Sequence, residues 1–542
     1  MNIQTMPIPV QNALSRHYIE QKTDVLHTMY EFHPDQDWAK RVEWLDQASC
    51  IRADQAQLIT ALSDYQHNIN AHEQAFASLE RLRDPKALVV VGGQQGGLLM
   101  GPLLMIYKAI SIIRMAQEAE RTLGRPVVPV FWVAGEDHDY DEVNHTYLLT
   151  SEPAVKRIRL SQSSEGRTPV SYLHLTDETW EEALNEVESI LPQTEFKEEL
   201  MSYIRHIAAA SDSLTEQCAR IVAKLFGEYG LVLLDSADPA LRKVEQAMFA
   251  ELIHKQEKLK GAVEKSEEAV LQAGYELQAV HHKDSANLFY IHKGERVLLL
   301  WDGVSYRDRE GQVQFTSDEL LAELEQHPER FSNNVLTRPL MQEYLFPVLA
   351  TVLGAGEIAY WAQLKESFRA MDMRMPLLWP RMSFTLIEGT LQKLLTKYAV
   401  TVEDICFSYE EKREAWLADQ DHIHLDERFK TLHDRVDAEY KELLQVLNES
   451  LPALGKLGDT NHAKVLEQIE FLHHRAKDAL SKQHETGLRH WERLKTSIWP
   501  LDRPQERVLN PIQYACRHGQ QWFLPIMEAP VVWNGEHRLV SL

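Results

Sequence analysis

Three short clusters gather the residues able to do chemistry. The densest is Gly135-Glu136-Asp137-His138-Asp139-Tyr140-Asp141-Glu142-Val143-Asn144-His145, with five carboxylates and two histidines in its last ten residues. Such a set can serve as general base, metal ligands or ammonium binders. Crowded carboxylates also repel one another, which raises pKa values or recruits a cation. The HExxH pattern is absent, so zinc hydrolysis lacks its usual signature. The plain alternative is a solvated acidic loop.

The second cluster is Gly92-Gly93-Gln94-Gln95-Gly96-Gly97, running on to Gly101-Pro102. It is neither a Walker loop nor GxGxxG, so it names no ligand. Gln94 and Gln95 could hydrogen-bond a carboxylate or a sugar hydroxyl, whereas a tight turn with close helix–strand packing would need only the glycines. Lys108 follows in an apolar helix, as a cation for the site or as a snorkelling side chain. The third cluster runs from Asn333-Asn334 through Arg338, Gln342 and Glu343 to Gly354-Ala355-Gly356-Glu357-Ile358-Ala359-Tyr360-Trp361. Arg338 offers a planar fork for a carboxylate or phosphate, and Gln342 would share its helix face. The alternative is an ordinary helix, turn and strand. Arg381 and Ser383 follow a weak strand pattern and could complete a site. The remaining histidines, such as His281-His282 and His473-His474, read as solvated surface.

What positions these clusters is a strand–helix–strand unit. Ala87 to Val91 is continuously apolar and ends at Gly92; a helix follows over Leu104 to Leu123; Val127 to Val133 repeats the strand pattern and runs into Gly135. That is a βαβ unit with both clusters at the carboxyl edge of the sheet, where open α/β sheets bind ligands. Leu231 to Leu234 is a third strand, Phe289 to Ile291 with Arg296 to Trp301 a hairpin, and Ile358 to Trp361 and Pro376 to Pro380 are weaker strands. The fold class is therefore α/β, a Rossmann-like doubly wound core with inserted segments at about 150–225 and 255–330.

Residues 1–85 read as a helical segment on that core, which spans 86–385. Over 386–500 the pattern changes. Leu425, Phe429, Leu432, Val436 and Leu443, then Val465, Ile469, Leu472, Ala476 and Ala479, recur every three, four or seven residues among charges. Pro452, Gly455 and Gly458 separate the two runs, so a coiled-coil hairpin is expected. Its outer face has no core to cover it, which points to a homodimer. Residues 501–542 are expected to return to the core.

Composition bounds the rest. The 542 residues exceed what one core usually holds, and the net charge of −24 repels phosphate backbones and anionic lipid. No basic run, signal peptide or apolar span of about 20 residues is visible. The four cysteines are scattered without a CxxC pair, against a disulfide framework or thiolate zinc. A soluble cytoplasmic protein that binds neither nucleic acid nor membrane is expected.

The strings GGQQGGLLMGPLLMIYKAIS, PVVPVFWVAGEDHDYDEVNH, LVLLDSADPALRK and NNVLTRPLMQEYLFPVLATVLGAGEIAYWAQL together resemble the BshC family, the cysteine-adding ligases of bacillithiol biosynthesis. The resemblance runs almost end to end. One departure is Gly93, where the family usually carries a hydroxyl residue. The resemblance implies a Rossmann-like core, a dimerising coiled coil, and a reaction joining the carboxyl of cysteine to the amine of glucosaminyl-malate. Such an amide requires activation, so an ATP/ADP-type nucleotide, with or without Mg, is expected although no standard ATP motif is present.

On this reading His138, Asp137, Asp139, His145 and Lys108 carry the chemistry. Gly93, Gln94, Gln95, Gly97, Glu136, Asn144, Arg338, Gln342, Glu343, Gly356, Glu357, Tyr360 and Trp361 bind substrate; Arg381 and Ser383 bind the nucleotide; no residue is assigned to a metal. Gln94, Gln95, His138, Asp139 and His145 are expected to line one cleft. Two other readings stay open: a metal-dependent hydrolase or deacetylase using Asp137, His138, Asp139 and His145, and a non-catalytic metabolite-binding scaffold.

Overall fold

Five parallel strands form the central sheet of the computed structural model, which describes residues 3–33, 36–163, 166–279, 282, 284–532 and 535–542. They are Leu88–Gln94, Val127–Val133, Val232–Asp235, Val348–Leu353 and Leu377–Pro380. In chain order they lie 3-2-1-4-5 across the sheet, the doubly wound arrangement. All their residues except Gln94 are buried, as expected for strands covered on both faces. The order reverses between Leu88–Gln94 and Val348–Leu353, so the ligand-binding crevice of the fold lies off the ends of those two strands.

The first strand ends in glycines for a packing reason. A Cβ on Gly92 would come within 2.8 Å of Ile112 Cδ1, and one on Gly93 within 3.2 Å of the Trp132 carbonyl. Glycine lets the helix Leu104–Leu123 lie close against the sheet. Between strand and helix the chain makes a left-handed excursion at Leu99, Met100 and Gly101. The helix then runs over Leu104–Leu123, as the sequence pattern places it. Its first turn is covered, because Leu103 N–H donates to the Leu509 carbonyl at 2.9 Å.

The expected strand at Ile358 to Trp361 is instead the helix Ala355–Trp361. Glu357 closes that helix by accepting the Gly354 N–H at 2.8 Å, a carboxylate at the third helical position satisfying an orphan donor. The strand lies just before it, at Val348–Leu353. The N-terminal segment is helical except for Ile3–Met6, which pairs antiparallel with His537–Ser541. Two long insertions decorate the carboxyl edge of the central sheet. The first carries the antiparallel pair His145–Leu149 and Val155–Arg159 and, among its described residues, four α-helices. The second carries a five-stranded antiparallel sheet in which Phe331–Asn333 pairs with Ser285–His292.

The chain divides into two compact units, 1–151 with 155–386 and 503–542, and 152–154 with 387–502. The second is helical. Leu425–Ser450 and Gly455–Gln483 form an antiparallel hairpin, and a break at His484 precedes Glu485–Ile498. Much of the expected seam lies inside: Leu425 is buried and Phe429, Val436, Val465, Ile469 and Ala476 are half-buried. Phe429 stacks on His473 at 4.8 Å and Tyr440 on His462 at 5.2 Å, with Leu425 and Leu444 buried beside them. Leu432, Leu443 and Leu472 face solvent, 45%, 51% and 58% exposed. No helix among the described residues is long and apolar enough to cross a membrane, and all four cysteines are free thiols.

The C-terminal strand is fastened by a buried histidine. His537 Nδ1 lies 2.6 Å from the Ser383 hydroxyl and Nε2 2.7 Å from that of Thr385. Burial pushes its pKa down to about 4. On acidification the unfolded chain takes up this proton first, near the ordinary value of about 6.5. Stability is therefore present above that value and drains as pH falls toward about 4. Going from pH 7 to pH 5 should remove roughly 2 kcal/mol through this group. Urea unfolding at the two pH values measures the loss, and His537→Asn should flatten it.

Candidate active site

A buried cation bolts the crevice together. Lys108, 1% exposed, donates to the Gly93 carbonyl at 2.5 Å and to Glu357 at 2.6 Å, and lies 3.4 Å from Gln94 Oε1. Burial lowers the ammonium pKa against the pull of Glu357. Burial would raise the Glu357 carboxyl, but Lys108 and the Gly354 N–H hold it below its ordinary value. This pair joins the ends of the two strands that flank the reversal point. Lys108 is thereby a positioning residue with its donors engaged, and Glu357 is its counter-ion.

The acidic loop leaves the second strand with its members in different environments. Glu136 is buried and accepts from Arg242 Nη2 at 2.5 Å, Ser332 Oγ at 2.8 Å and Asn333 N–H at 2.9 Å. Arg242 also pairs with Glu245, whose carboxyl burial pushes up to about 7. Glu136 therefore holds structure, its carboxylate engaged by three protein donors. Asp137 accepts from Gln95 Nε2 at 2.6 Å and from the His138 N–H at 2.8 Å. Burial alone would raise its carboxyl, yet Arg296, Gln95 and His138 keep it below its ordinary value, so it is ionised near neutrality.

His138 has its role narrowed by Arg296. Arg296 Nη1 lies 3.0 Å from His138 Nδ1. A guanidinium only donates, so Nδ1 accepts and the imidazole proton sits on Nε2. Burial and the adjacent guanidinium lower the His138 pKa, keeping the ring neutral at pH 7. His138 is thus set up as a hydrogen-bond donor rather than as a base. Arg296 is itself fixed by Ser332 Oγ at 2.8 Å, the Asn333 carbonyl and the Phe289 ring 3.7 Å away.

Two cavities open on this edge. One, of about 440 Å³, is lined by Glu136, Asp137, His138, Phe289, Arg296, Asn333, Asn334 and Arg338, with the exposed His282 at its rim. His281 lies outside the described residues. The other, of about 380 Å³, is lined by Gln94, Gln95, Gly97, Gly101, Glu142, His145, Tyr147, Arg503 and Arg507. The single cleft expected from the sequence is therefore two, separated by the Gln95–Asp137 hydrogen bond. His138 and His145 face different cavities, and Asp139 is exposed and lines neither. Among the described residues no three His, Cys, Asp or Glu side chains converge as a metal-ligand set.

Several predicted residues are engaged elsewhere. Glu343 is fully buried between Arg41 at 2.6 Å and Arg52 at 2.7 Å, and Gln342 is buried beside it. Trp361 packs in the core; Tyr360 accepts from Arg338 Nη2 at 2.8 Å; Gly356 is exposed, with nothing near enough to demand glycine. Asn144 is buried and donates to Asp141 at 3.1 Å. Arg381 pairs with Glu506 at 2.5 Å, and Ser383 donates to the same carboxylate at 3.0 Å, so the C-terminal segment occupies both. The sequence reading missed Arg296, Arg503 and Arg507. Isolated arginines carry no local signal, and only the fold brings them to this edge.

A doubly wound sheet with a positively and negatively lined crevice at its reversal point, attached to a helical hairpin, defines a Rossmann-like α/β protein with a coiled-coil unit. The chain matches the Bacillithiol biosynthesis BshC, N-terminal Rossmann-like domain over residues 1–382 and the C-terminal coiled-coil domain of the same proteins over 384–542. It belongs to the BshC family. Relatives carry the provisional name cysteine ligase BshC. That of Bacillus cereus strain AH187 is 33% identical over 543 residues, covering 100% of both chains. That of Bacillus cytotoxicus is 35% identical over 90% of each chain, and that of Bacillus velezensis 34% identical over 100% of each.

The His138 tautomer can be measured directly. The ¹⁵N signals of His138 should show a neutral ring protonated on Nε2 at pH 7, with a titration midpoint below the free-imidazole value of about 6.5. Arg296→Met should raise that midpoint. A midpoint at or above the free value in the unmodified protein would refute the assignment.

Proposed function

We propose that the protein is a cytoplasmic ligase that joins L-cysteine, through its carboxyl group, to the amine of glucosaminyl-malate, forming bacillithiol with the help of an ATP-type nucleotide. The observation that carries this reading is the Gln95–Asp137 hydrogen bond, which sets two polar cavities back to back at the carboxyl edge of the sheet. Amide formation needs an activated acyl group and an amine to meet, each held on its own side until the bond forms. The relatives' shared name supports the amino acid.

The residues present suit the parts. Arg503 and Arg507 are exposed, with no ion pair among the described residues, and line the cavity beside Gln94, Gln95 and Gly97. Two free guanidinium groups and paired amides fit the phosphates of a nucleotide better than Arg381 and Ser383 do. The nucleotide, when bound, supplies the leaving group that makes the carboxyl reactive. Asp137, ionised, attracts the incoming ammonium and is the nearest acceptor for the proton that the amine gives up. His138, neutral, donates from Nε2 to the carbonyl oxygen as negative charge gathers there. Lys108 and Glu357 keep the Gln94 loop and the Gly354 turn in register.

Purified protein given cysteine, glucosaminyl-malate and Mg-ATP should form bacillithiol, read by mass spectrometry of the derivatised thiol. Asp137→Asn should remain soluble and cooperatively folded while losing at least 100-fold in rate, of the order expected for an acid–base group. A strain lacking the gene should accumulate glucosaminyl-malate without bacillithiol. A normal thiol pool in that strain would sink the reading.

The reading includes a homodimer through the hairpin. Leu432, Leu443 and Val446 are exposed and spaced to share one side of their helix, and Phe471 and Leu472 are exposed on the other. Apolar stripes on a two-helix arm are the usual substrate for self-association, most often twofold. Light scattering should report a dimer, and Leu432→Asp with Leu443→Asp should halve the mass without unfolding the α/β unit. A monomer in the unmodified protein at micromolar concentration overturns this part.

A further inference from the structure

Asn333 combines a fixed backbone with an unmatched side chain. Its N–H donates to Glu136 at 2.9 Å and its carbonyl accepts from Arg296. The residue is 2% exposed, and neither Oδ1 nor Nδ2 finds a partner in the protein. Arg338, at the start of its helix, has one nitrogen on Tyr360 and leaves Nε without a partner. Both residues line the cavity of about 440 Å³ that holds Asp137 and His138. Buried polar groups are normally satisfied; unmatched ones occur elsewhere in the fold too, at Gln256 for instance, but these two share one cavity wall beside Asp137 and His138, where a ligand can complete them.

The unmatched groups specify what kind of ligand. An amide offers one face that only accepts and one that only donates, and a hydroxyl or a neighbouring pair of hydroxyls answers both. The Arg338 fork answers a carboxylate. We propose that this cavity is the subsite of a polyhydroxylated acid, with sugar hydroxyls on Asn333 and a carboxylate on Arg338. Resting on the ligase reading, this assigns the sugar–malate acceptor to the Asp137 side and the amino acid with its nucleotide to the side beyond Gln95. A zwitterionic amino acid could match the two halves of the amide as well. The cavity is far larger than a three-carbon amino acid fills, and lies within the range of sites for drug-sized ligands.

The Glu136 and Arg296 bonds go to the backbone of residue 333, so Asn333→Ala deletes a side chain without a protein partner and keeps the fold. Calorimetric titration of the full chain should show glucosaminyl-malate and methyl glucosaminide binding about three- to tenfold more weakly to Asn333→Ala, with L-malate unchanged. Arg338→Gln should weaken glucosaminyl-malate and L-malate at least tenfold and spare methyl glucosaminide, with partial rescue in Arg338→Lys. Cysteine and ATP binding should not move in any of these variants. If cysteine binding falls instead, or if glucosaminyl-malate gives no heat with the unmodified protein, the subsite assignment is overturned. Bacillithiol formation by the unmodified protein, assayed in parallel, reports on the ligase reading separately: product with unaltered acceptor affinity in both variants refutes only the subsite, whereas acceptor binding without product refutes the ligase.

Discussion

The site depends on one buried carboxylate. Glu136 leaves the second core strand and takes a guanidinium, a hydroxyl and a backbone N–H, from a helix, an antiparallel strand and that strand's end. Each is a charge-assisted bond formed out of water, and together they offset the desolvation of the ion. Removing one partner of such a cluster typically costs about 3–5 kcal/mol, because the remaining charge stays buried. The geometric consequence matters more here. The insertion after Val232–Asp235 would otherwise be free to sit at many angles over the sheet edge. Glu136 pins its last strand, and with it Arg296 and Asn333, against the loop that carries Asp137 and His138.

Charge, rather than apolar packing, sets the chemistry at that edge. The same guanidinium that depresses Asp137 also fixes the His138 tautomer, so one residue, Arg296, gives two neighbours opposite tasks. Aspartate stays negative and can receive an ammonium; histidine stays neutral and can only donate. A sequence reader sees two adjacent titratable residues and assigns both as acid–base groups. The partition comes from a third residue 158 positions along the chain.

Much of the architecture was legible, and the reasons differ by element. Leu88–Gln94 and Val127–Val133 are continuous apolar runs ended by glycine, so their strand character and their shared edge could be read locally. The strand Val348–Leu353 is just as apolar, but Leu345, Phe346 and Pro347 precede it without a polar break and hide where it begins. Ile358-Ala359-Tyr360-Trp361 has strand-like residues and forms a helix, because the Glu357 cap decides the local backbone before side-chain preference does. In the hairpin, Leu425, Phe429 and Val436 of the expected seam lie inside, joined by His462 and His473, whereas Leu432 and Leu443 face solvent. A spacing rule finds the face of a helix less well when apolar residues lie on both sides.

The candidate site was legible in its loops and not in its partners. Glu343, Arg381 and Ser383 have the right chemistry at plausible positions, yet ion partners at residues 41, 52 and 506 consume them. Those partners are more than 100 residues away, beyond any local pattern. The converse also holds. Arg338 was a candidate from its sequence and Asn333 opened the same cluster, but what they offer a ligand shows only once the fold buries their polar atoms and supplies no partner. Other buried polar atoms also lack partners, those of Gln256 and Glu245 Oε1 among them, but the unmatched atoms of Asn333 and Arg338 share the wall of the cavity that holds Asp137 and His138. That is why the cavity can discriminate. A ligand that carries the matching hydroxyl or carboxylate would gain hydrogen bonds that one lacking them forgoes.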